Sequence, residues 1–470
     1  MNILEDFLKQ AAGNPQRIAV IDAKGASSSY GAIEDRSSRL AARWSEAGIG
    51  IGDRVLVALS VDADLYASLA ALWSLGAVAV LPEPALGLRG LRQAVEATSP
   101  KAFLANGSYR VLRWANPAIR RMVQLRVDPA TSRGHAIADL DPEAHALISF
   151  TSGSSGTPKA IARSHGFLAA QNRAVAPLLA SERPSIDLVA FPVFVVAALG
   201  RGDTSVLPNW KLGRPADADP AAIRRHCVAH RVDRMLLSPA IVRVLACRGA
   251  PAGVHTVFVG GGPVFVDVVD EIVAASGDLR VVAVYGSTEA EPIAHCELGS
   301  LDDARHDAMS NGAGLIAGTP ASGTALRIVD DEIQVAGDHV VKGYLDPARD
   351  VSTKVRDADG TTWHRTGDAG RIDDDGVLWL LGRVDGRVAG LWPFAVETRA
   401  RSWKGVREAA LVEMDGMAVL AIVGDRSERS RWQRAFEAMG GWQARRVARI
   451  PVDRRHGSKV DVAALRILLS

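Results

Sequence analysis

The hydrophobic and polar positions of this chain alternate between two periods. Short apolar runs at 55–59, 77–81 and 102–105 read as strands, and the segments at 62–75 and 88–97 place apolar residues at helical spacing. From Ile18 through the first hundred residues this β-α-β-α order predicts a largely parallel sheet covered by helices. The pattern resumes with strands at 235–237, 256–259 and 281–285. Each empties into a polar or glycine-rich segment: Ser238-Pro239, which supplies an N-cap and first turn for a helix, then Gly260 to Pro263, then Gly286-Ser287-Thr288-Glu289. Parallel strands gather their carboxyl ends on one edge, so the three exits are expected to face one crevice.

Beyond residue 320 the pattern changes to short β segments at 325–329, 332–335, 363–368 and 370–381. Asp373-Asp374-Asp375-Gly376 reads as a hairpin turn between Arg371 and Trp379. Gly382-Arg383 ends this section. Strand patterns at 406–412 and 417–423 and a helix near 430–439 then predict a small α+β unit.

Composition changes this picture little. A chain of 470 residues with 48% hydrophobic content buries a large core and exceeds one ordinary domain. Cys227, Cys247 and Cys296 are too widely spaced for a zinc pattern and odd in number, so a reducing, cytoplasmic setting fits best. The uncharged stretch at 65–81 is broken by Gly76 and ended by Pro82, which suits a helix turning into a strand and not a membrane span. The N-terminal MNILEDFLKQ carries acids within its apolar pattern, unlike a signal peptide. Net charge is +2, yet residues 399–470 carry 15 Lys and Arg against 8 Asp and Glu. That basic tail lacks interleaved aromatics or a nucleic-acid motif, so a solvated face or a lid over an anionic ligand is the better reading.

The strongest chemical signal is ALISFTSGSSGTPK at 146–159. An apolar strand at 146–150 opens into a run of Thr, Ser, Gly and Pro closed by lysine. Gly153 and Gly156 let the backbone turn its N–H groups inward, and Thr151, Ser152, Ser154, Ser155 and Thr157 add hydroxyl donors for anionic oxygens. Lys159 adds positive charge. The alternative is a flexible Ser/Gly linker, which rarely follows a strand so directly. An ordinary NTPase P-loop is disfavoured, because Pro158 and Ala160 stand where that motif needs glycine and a hydroxyl.

TSGSSGTPK at 151–159, GGGPV at 260–264, YGSTE at 285–289, TGD at 366–368, GR at 382–383 and the late Lys459 occur in the order found in acyl-adenylate-forming (AMP-binding) enzymes, which the chain resembles from about Ile18 to Leu465. FPVF at 191–194, YGSTEAEPIA at 285–294, WHRTGDAGRID at 363–373 and PVDRRHGSK at 451–459 resemble in particular the β-lactone synthetases of bacterial olefin biosynthesis. Thioester-forming relatives place a histidine where Val195 stands and carry a longer glycine-rich loop where GRVDGRVAGLWPFAVE runs from Gly382 to Glu397. The resemblance implies an α/β fold: a large N-terminal domain of parallel-rich sheets plus a β-rich subdomain at 1–382, and a small mobile α+β lid domain at 383–470.

It also implies a chemistry, with ATP and Mg²⁺ as the cofactors. The loop from Thr151 to Lys159 would hold the β- and γ-phosphates, and Glu289 would bind Mg²⁺. Gly261, Gly262, Tyr285 and Gly286 would flank the adenine, with Thr288 near the α-phosphate. Asp368 would accept the ribose hydroxyls, helped by Arg383, with Asp385 at the hinge position. Lys459 would enter the site to neutralise the transition state, although Ser458 stands where the family has glycine. Each has a plainer alternative: a solvated turn for Glu289 and Asp368, core packing for Tyr285, one surface cation among many for Lys459. His165 and His364 lie near the motifs and read as structural. The acyl pocket would draw its walls from 191–199 and 290–293.

The function so implied is adenylation of a small-molecule β-hydroxy acid followed by closure to a β-lactone. The alternatives are a ligase joining the acid to CoA or a carrier protein, and a catalytically silent nucleotide-binding protein. Pathway enzymes or a carrier protein are candidate partners; nucleic acid and a membrane span are not expected.

Overall fold

The computed structural model describes every residue except 84–86, 129–133, 135, 152–158 and 454–456 and, for Ala115 and Thr151, the backbone alone. A six-stranded sheet runs in the order Val123–Leu125, Ala102–Ala105, Arg54–Ala58, Val78–Leu81, His145–Thr151, Lys159–Ser164. All its neighbours are parallel except the last pair, where Thr151 stands opposite Lys159. Thr151 and Lys159, which flank 152–158 in sequence, are thus ladder partners.

Helix Ala63–Ser74 shows how the pattern specifies position. Asp62 caps it by accepting from the N–H groups of Asp64 and Leu65, and Gly76, at φ 70°, reverses the chain into Val78–Leu81. Its residues from Leu65 to Trp73 are all buried, so it is apolar all round because protein surrounds it. The Trp73 indole donates to the Ala146 carbonyl at 2.9 Å, fixing the helix to the strand that leads into the 152–158 segment. No helix among the described residues is long and apolar enough to cross a membrane.

A second, longer sheet begins with Ser27–Ser29 and Ile18–Ile21 and continues through Thr204–Val206, Ile186–Val189, Arg234–Leu237, Thr256–Gly260 and Arg280–Ser287, which form its parallel centre. Strand Ile18–Ile21 thus belongs to this sheet and not to the β-α-β-α run that follows it in sequence. Pairing is antiparallel from Arg280–Ser287 onward, through Ala290–Glu297, Leu315–Pro320, Leu378–Arg383, Thr362–Ile372, Glu332–Ala336 and Ala325–Val329. The expected strands at 363–368 and 370–381 resolve as one long strand, Thr362–Ile372, and its hairpin partner. The Asp373–Gly376 turn lies where the pattern places it, with Arg371 opposite Trp379.

Register shifts at Tyr285/Ser287, Ile316/Gly318 and Ala369/Gly370 bend this half of the sheet. A cluster of Ala290, Ile293, Leu315, Ile333, Val335, Leu378 and Leu380 fills the concave side, with Tyr285 packed against it. The C-terminal residues build a separate three-stranded sheet, Val406–Met414, Met417–Gly424 and Gln443–Arg446, with helices Pro393–Arg401, Arg429–Glu437 and Val462–Leu469. Ser238 stands at the N-cap of helix Pro239–Ala246 as expected, but its side chain makes no capping hydrogen bond.

At the sheet edge opposite the strand exits, Arg234 donates to both oxygens of Asp187, each at 2.8 Å, and to the Leu179 carbonyl at 2.7 Å. Asp187 is 1% exposed. Breaking such a pair strands a buried charge, so Asp187→Ala is expected to cost about 3–5 kcal/mol. Urea denaturation followed by tryptophan fluorescence should show a lower midpoint; an unchanged midpoint contradicts the assignment.

Candidate functional site

The carboxyl ends of both parallel sheets, the bent β half and the C-terminal unit enclose one cleft of about 2550 Å³. One side is lined by Lys159, Gly261, Gly262, Tyr285, Gly286 and Thr288. Glu289, Asp368, Arg383 and Lys459 line the same space. The structure thus brings together ten of the expected site residues from segments up to 300 positions apart. Ser152, Gly153, Ser154, Ser155, Gly156 and Thr157 lie outside the described residues, and Thr151 is described by its backbone, at the end of strand His145–Thr151.

Asp368 is held from two sides. The Tyr285 hydroxyl donates to its Oδ2 at 2.8 Å, and the Arg383 guanidinium donates to its Oδ1 at 2.9 Å. Asp368 and Arg383 are direct cross-strand partners, so the sheet register itself sets this pair. Gly367, at φ 70°, lies so close to the Arg383 guanidinium that a Cβ there would displace it. Burial pushes the Tyr285 phenol well above its ordinary value, and the Asp368 charge adds to this, so Tyr285 remains a donor. A carboxylate with its charge fixed and lone pairs left over is suited to accept a pair of hydroxyls.

Glu289 sits at the turn between strands Arg280–Ser287 and Ala290–Glu297. YGSTE is therefore a hairpin tip. Its backbone is pinned twice: the Glu289 carbonyl accepts the Val341 N–H at 2.8 Å, and the Thr288 carbonyl accepts from Arg163 at 2.9 Å. The Tyr344 hydroxyl donates to Glu289 Oε1 at 2.7 Å, and Lys159 lies 5.3 Å from the Tyr344 ring centre. Burial alone would raise the Glu289 carboxyl, but His364, the Tyr344 hydrogen bond and Lys159 together hold it below the usual value. His364 is itself pushed down to about 4 by burial and then by Lys354. Glu289 thus presents an oriented carboxylate, whose hard oxygens have the chemistry that suits a cation such as Mg²⁺.

Lys459 is held beside Asp453. Asp453 Oδ1 accepts the N–H groups of Ser458 and Lys459 at 3.1 and 2.9 Å, and the Asp453 N–H returns a bond to the Lys459 carbonyl at 2.8 Å. Ser458 packs directly on the glycine-rich strand exit. A Cβ on Gly262 would lie 2.5 Å from Ser458 Cβ, so glycine is required there by close approach. The Ser458 hydroxyl accepts the Ala240 N–H at 3.3 Å. Ser458 thereby gives the N-terminus of helix Pro239–Ala246 the partner that Ser238 does not, which accounts for a serine at this position.

Several expectations are redrawn. Phe191, Pro192, Val193, Phe194 and Val196 line the cleft, whereas in the 290–293 run Glu291 alone does so, since Ala290 and Ile293 pack into the β core. His165 lies away from the cleft: it is fully buried, and its Nδ1 accepts the Ile3 N–H at 3.2 Å. The segment after Arg383 is compact: a 3₁₀ turn at Val384–Gly386, a two-residue hairpin closed by Val388 and Leu391, then helix Pro393–Arg401. Sequence reasoning missed Tyr344 and Arg163, the two side chains that hold the Thr288–Glu289 turn. Their sole signal is an ordinary Gly-Tyr and a strand arginine, with no periodicity that points across 55 residues to Glu289.

Comparison with known proteins places the chain in a family. The family model described as AMP-binding enzyme matches residues 7–345. An olefin β-lactone synthetase of Stenotrophomonas maltophilia is 31% identical, covering 94% of this chain and 91% of its own. Another, from Xanthomonas campestris pv. campestris, is 33% identical over 77% and 72% of the two chains. The solved o-succinylbenzoate CoA synthetase of Bacillus subtilis, in complex with ATP and magnesium, superposes with a TM-score of 0.78 over 99% and 98% of the chains at 20% identity. Klebsiella oxytoca NpsA superposes with a TM-score of 0.82 over 100% and 99% at 19% identity. Those two share the fold. With the ladder-set Asp368 and Arg383 pair, the ionised Glu289 and Lys459 in one cleft, the chain belongs to the AMP-binding enzyme family as an ATP-dependent acyl-adenylate-forming ligase, related in sequence to the olefin β-lactone synthetases.

Proposed function

We propose that this ligase adenylates a β-hydroxy carboxylic acid and closes the acyl-adenylate to a β-lactone. The single observation carrying this reading is the compact Val388–Leu391 hairpin after Arg383, beside a cleft lined by apolar side chains, in a chain related to two β-lactone synthetases. A thioester-forming site needs a passage for a second substrate in this region; ring closure needs none.

In the first step the acid's carboxylate attacks the α-phosphorus of ATP and pyrophosphate leaves. Two anions must meet, so fixed positive charge and oriented donors dominate the catalysis. Lys159 and the 151–159 segment would hold the β- and γ-phosphates, Asp368 and Arg383 the ribose, and Gly261, Gly262, Tyr285 and Gly286 the adenine. Thr288 would stand by the α-phosphate, and Lys459 would balance the charge that develops there. Mg²⁺ held at Glu289 would neutralise phosphate oxygens and orient the leaving pyrophosphate. In the second step the β-hydroxyl oxygen attacks the acyl carbonyl carbon. The new C–O bond closes the ring, the bond from acyl carbon to phosphate oxygen breaks, AMP leaves and the hydroxyl proton passes to solvent. The apolar walls around Phe191 and Phe194 would hold the acid bent, which supplies the effective molarity that a four-membered ring requires.

We read residues 1–382 as the body that binds both substrates and 383–470 as the lid that delivers Lys459.

Lys459→Ala is expected to lower the rate of acid-dependent pyrophosphate exchange by about 10²–10³-fold while ATP affinity stays within a fewfold; wild-type exchange in this variant refutes the role. Incubation with ATP, Mg²⁺ and a panel of β-hydroxy acids should yield AMP and an acid that has lost the mass of water. If AMP forms only when CoA or a carrier protein is added, the lactone reading fails.

A further inference from the structure

The cleft does not end at the nucleotide. It passes over the carboxyl edge of the first sheet and reaches Gly87, Leu88 and Leu91 of helix Gly87–Thr98, then Tyr109 and Leu112 in the turns after strand Ala102–Ala105. This mouth has a composition unlike the rest of the protein. Residues 87–121 hold seven Lys and Arg against the single acid Glu96, whereas the remainder of the chain carries 48 Lys and Arg against 52 Asp and Glu. Lys101 is paired with Asp53. Arg89, Arg92, Arg110, Arg120 and Arg121 are exposed, and among the described residues none of them forms an ion pair with an acid.

Between these arginines stand large apolar side chains that have no covering element. Leu88 is 59% exposed, Val111 64% and Trp114 63%. Arg113 and Arg120 lie over the Trp114 ring, at 4.8 and 5.8 Å from its centre. An exposed tryptophan flanked by arginines, with aliphatic side chains beside it, is the side-chain set that partitions into the interface of a bilayer. The ring and the aliphatic groups enter the headgroup boundary, and the guanidinium groups meet lipid phosphates. An acidic protein surface would match the charge but would leave Leu88, Val111 and Trp114 without a purpose at the mouth of an apolar passage.

We infer that this rim docks onto an anionic lipid surface, from which an aliphatic acid enters the cleft at Leu88 and Tyr109. The docking half of this inference stands on the rim itself; the entry half rests on the reading of the cleft as an acyl site. Peripheral docking also suits a chain with no membrane-crossing helix among its described residues.

The test is flotation of the purified protein with vesicles, in the absence of any acid or nucleotide. The protein should float with phosphatidylcholine vesicles that contain phosphatidylglycerol, stay in solution with phosphatidylcholine alone, and be released by raised salt. The triple variant Arg89→Gln, Arg92→Gln, Arg110→Gln should lose roughly hundredfold in vesicle affinity, and Trp114→Ala should weaken binding without changing its salt dependence. Neither variant touches the cleft lining, so the circular dichroism spectrum and adenylation of a short, water-soluble acid should match the parent. Equal flotation with both vesicle types, no flotation, or undiminished binding by the triple variant overturns the inference. Capture by polyglutamate with vesicles ignored does so too. Failure of the parent to adenylate any acid would instead overturn the proposed function and leave the flotation result to stand.

Discussion

The carboxylate of Asp368 is the point on which the site depends. It takes the Tyr285 hydroxyl on one oxygen and the Arg383 guanidinium on the other. In the sheet ladder three strands separate the Tyr285 strand from the Asp368 strand. Laid flat, four strand spacings would hold them about 19 Å apart. A 2.8 Å hydrogen bond between them therefore requires the sheet to curl back on itself. The register shifts supply the bend, and the small and branched side chains from Ala290 to Leu380 fill its inside. Once that curl is fixed, the Asp368 end of the cleft faces the strand exits of the parallel centre.

The other walls follow from the same geometry. The Glu289 hairpin tip emerges from the strand that carries Tyr285, so the curl that places Asp368 also sets the distance between the Asp368 and Glu289 carboxylates. Ser458, next to Lys459, is seated on Gly262, one strand over, by a contact that tolerates no side chain. Fixed dipoles and charges converge from separate segments on one volume, and little reorganisation is left for the reaction itself. The compact segment after Arg383 borders the same cleft through Gly386, Arg387 and Val388.

Much of this was legible from residue order. The parallel runs, the capped helix before Gly76, the Arg371 and Trp379 hairpin and the α+β close are all specified by local periodicity and turn chemistry. Legibility failed where the determining contact is distant. Helix Tyr30–Glu46 buries a stripe of Tyr30, Ile33, Ser37, Leu40, Ala41 and Trp44 within a largely polar sequence, where Ser37 interrupts the apolar pattern. Strand Ile18–Ile21 reads as the start of the first sheet, yet pairs with residues near 205 in the second. Tyr344 and Arg163 have meaning for the site only after the chain has brought them to the Glu289 turn. Ser458, a departure from the family spacing, became intelligible through its bond to Ala240 and its contact with Gly262.

The central claim is that the carboxylate is activated and the β-hydroxyl becomes the ring oxygen. Oxygen labelling tests it directly. With ¹⁸O in the carboxylate, mass spectrometry should find one label transferred to AMP; with ¹⁸O in the hydroxyl, the label should remain in the lactone. AMP without label from the carboxylate, or a lactone that has lost the hydroxyl label, would contradict the account.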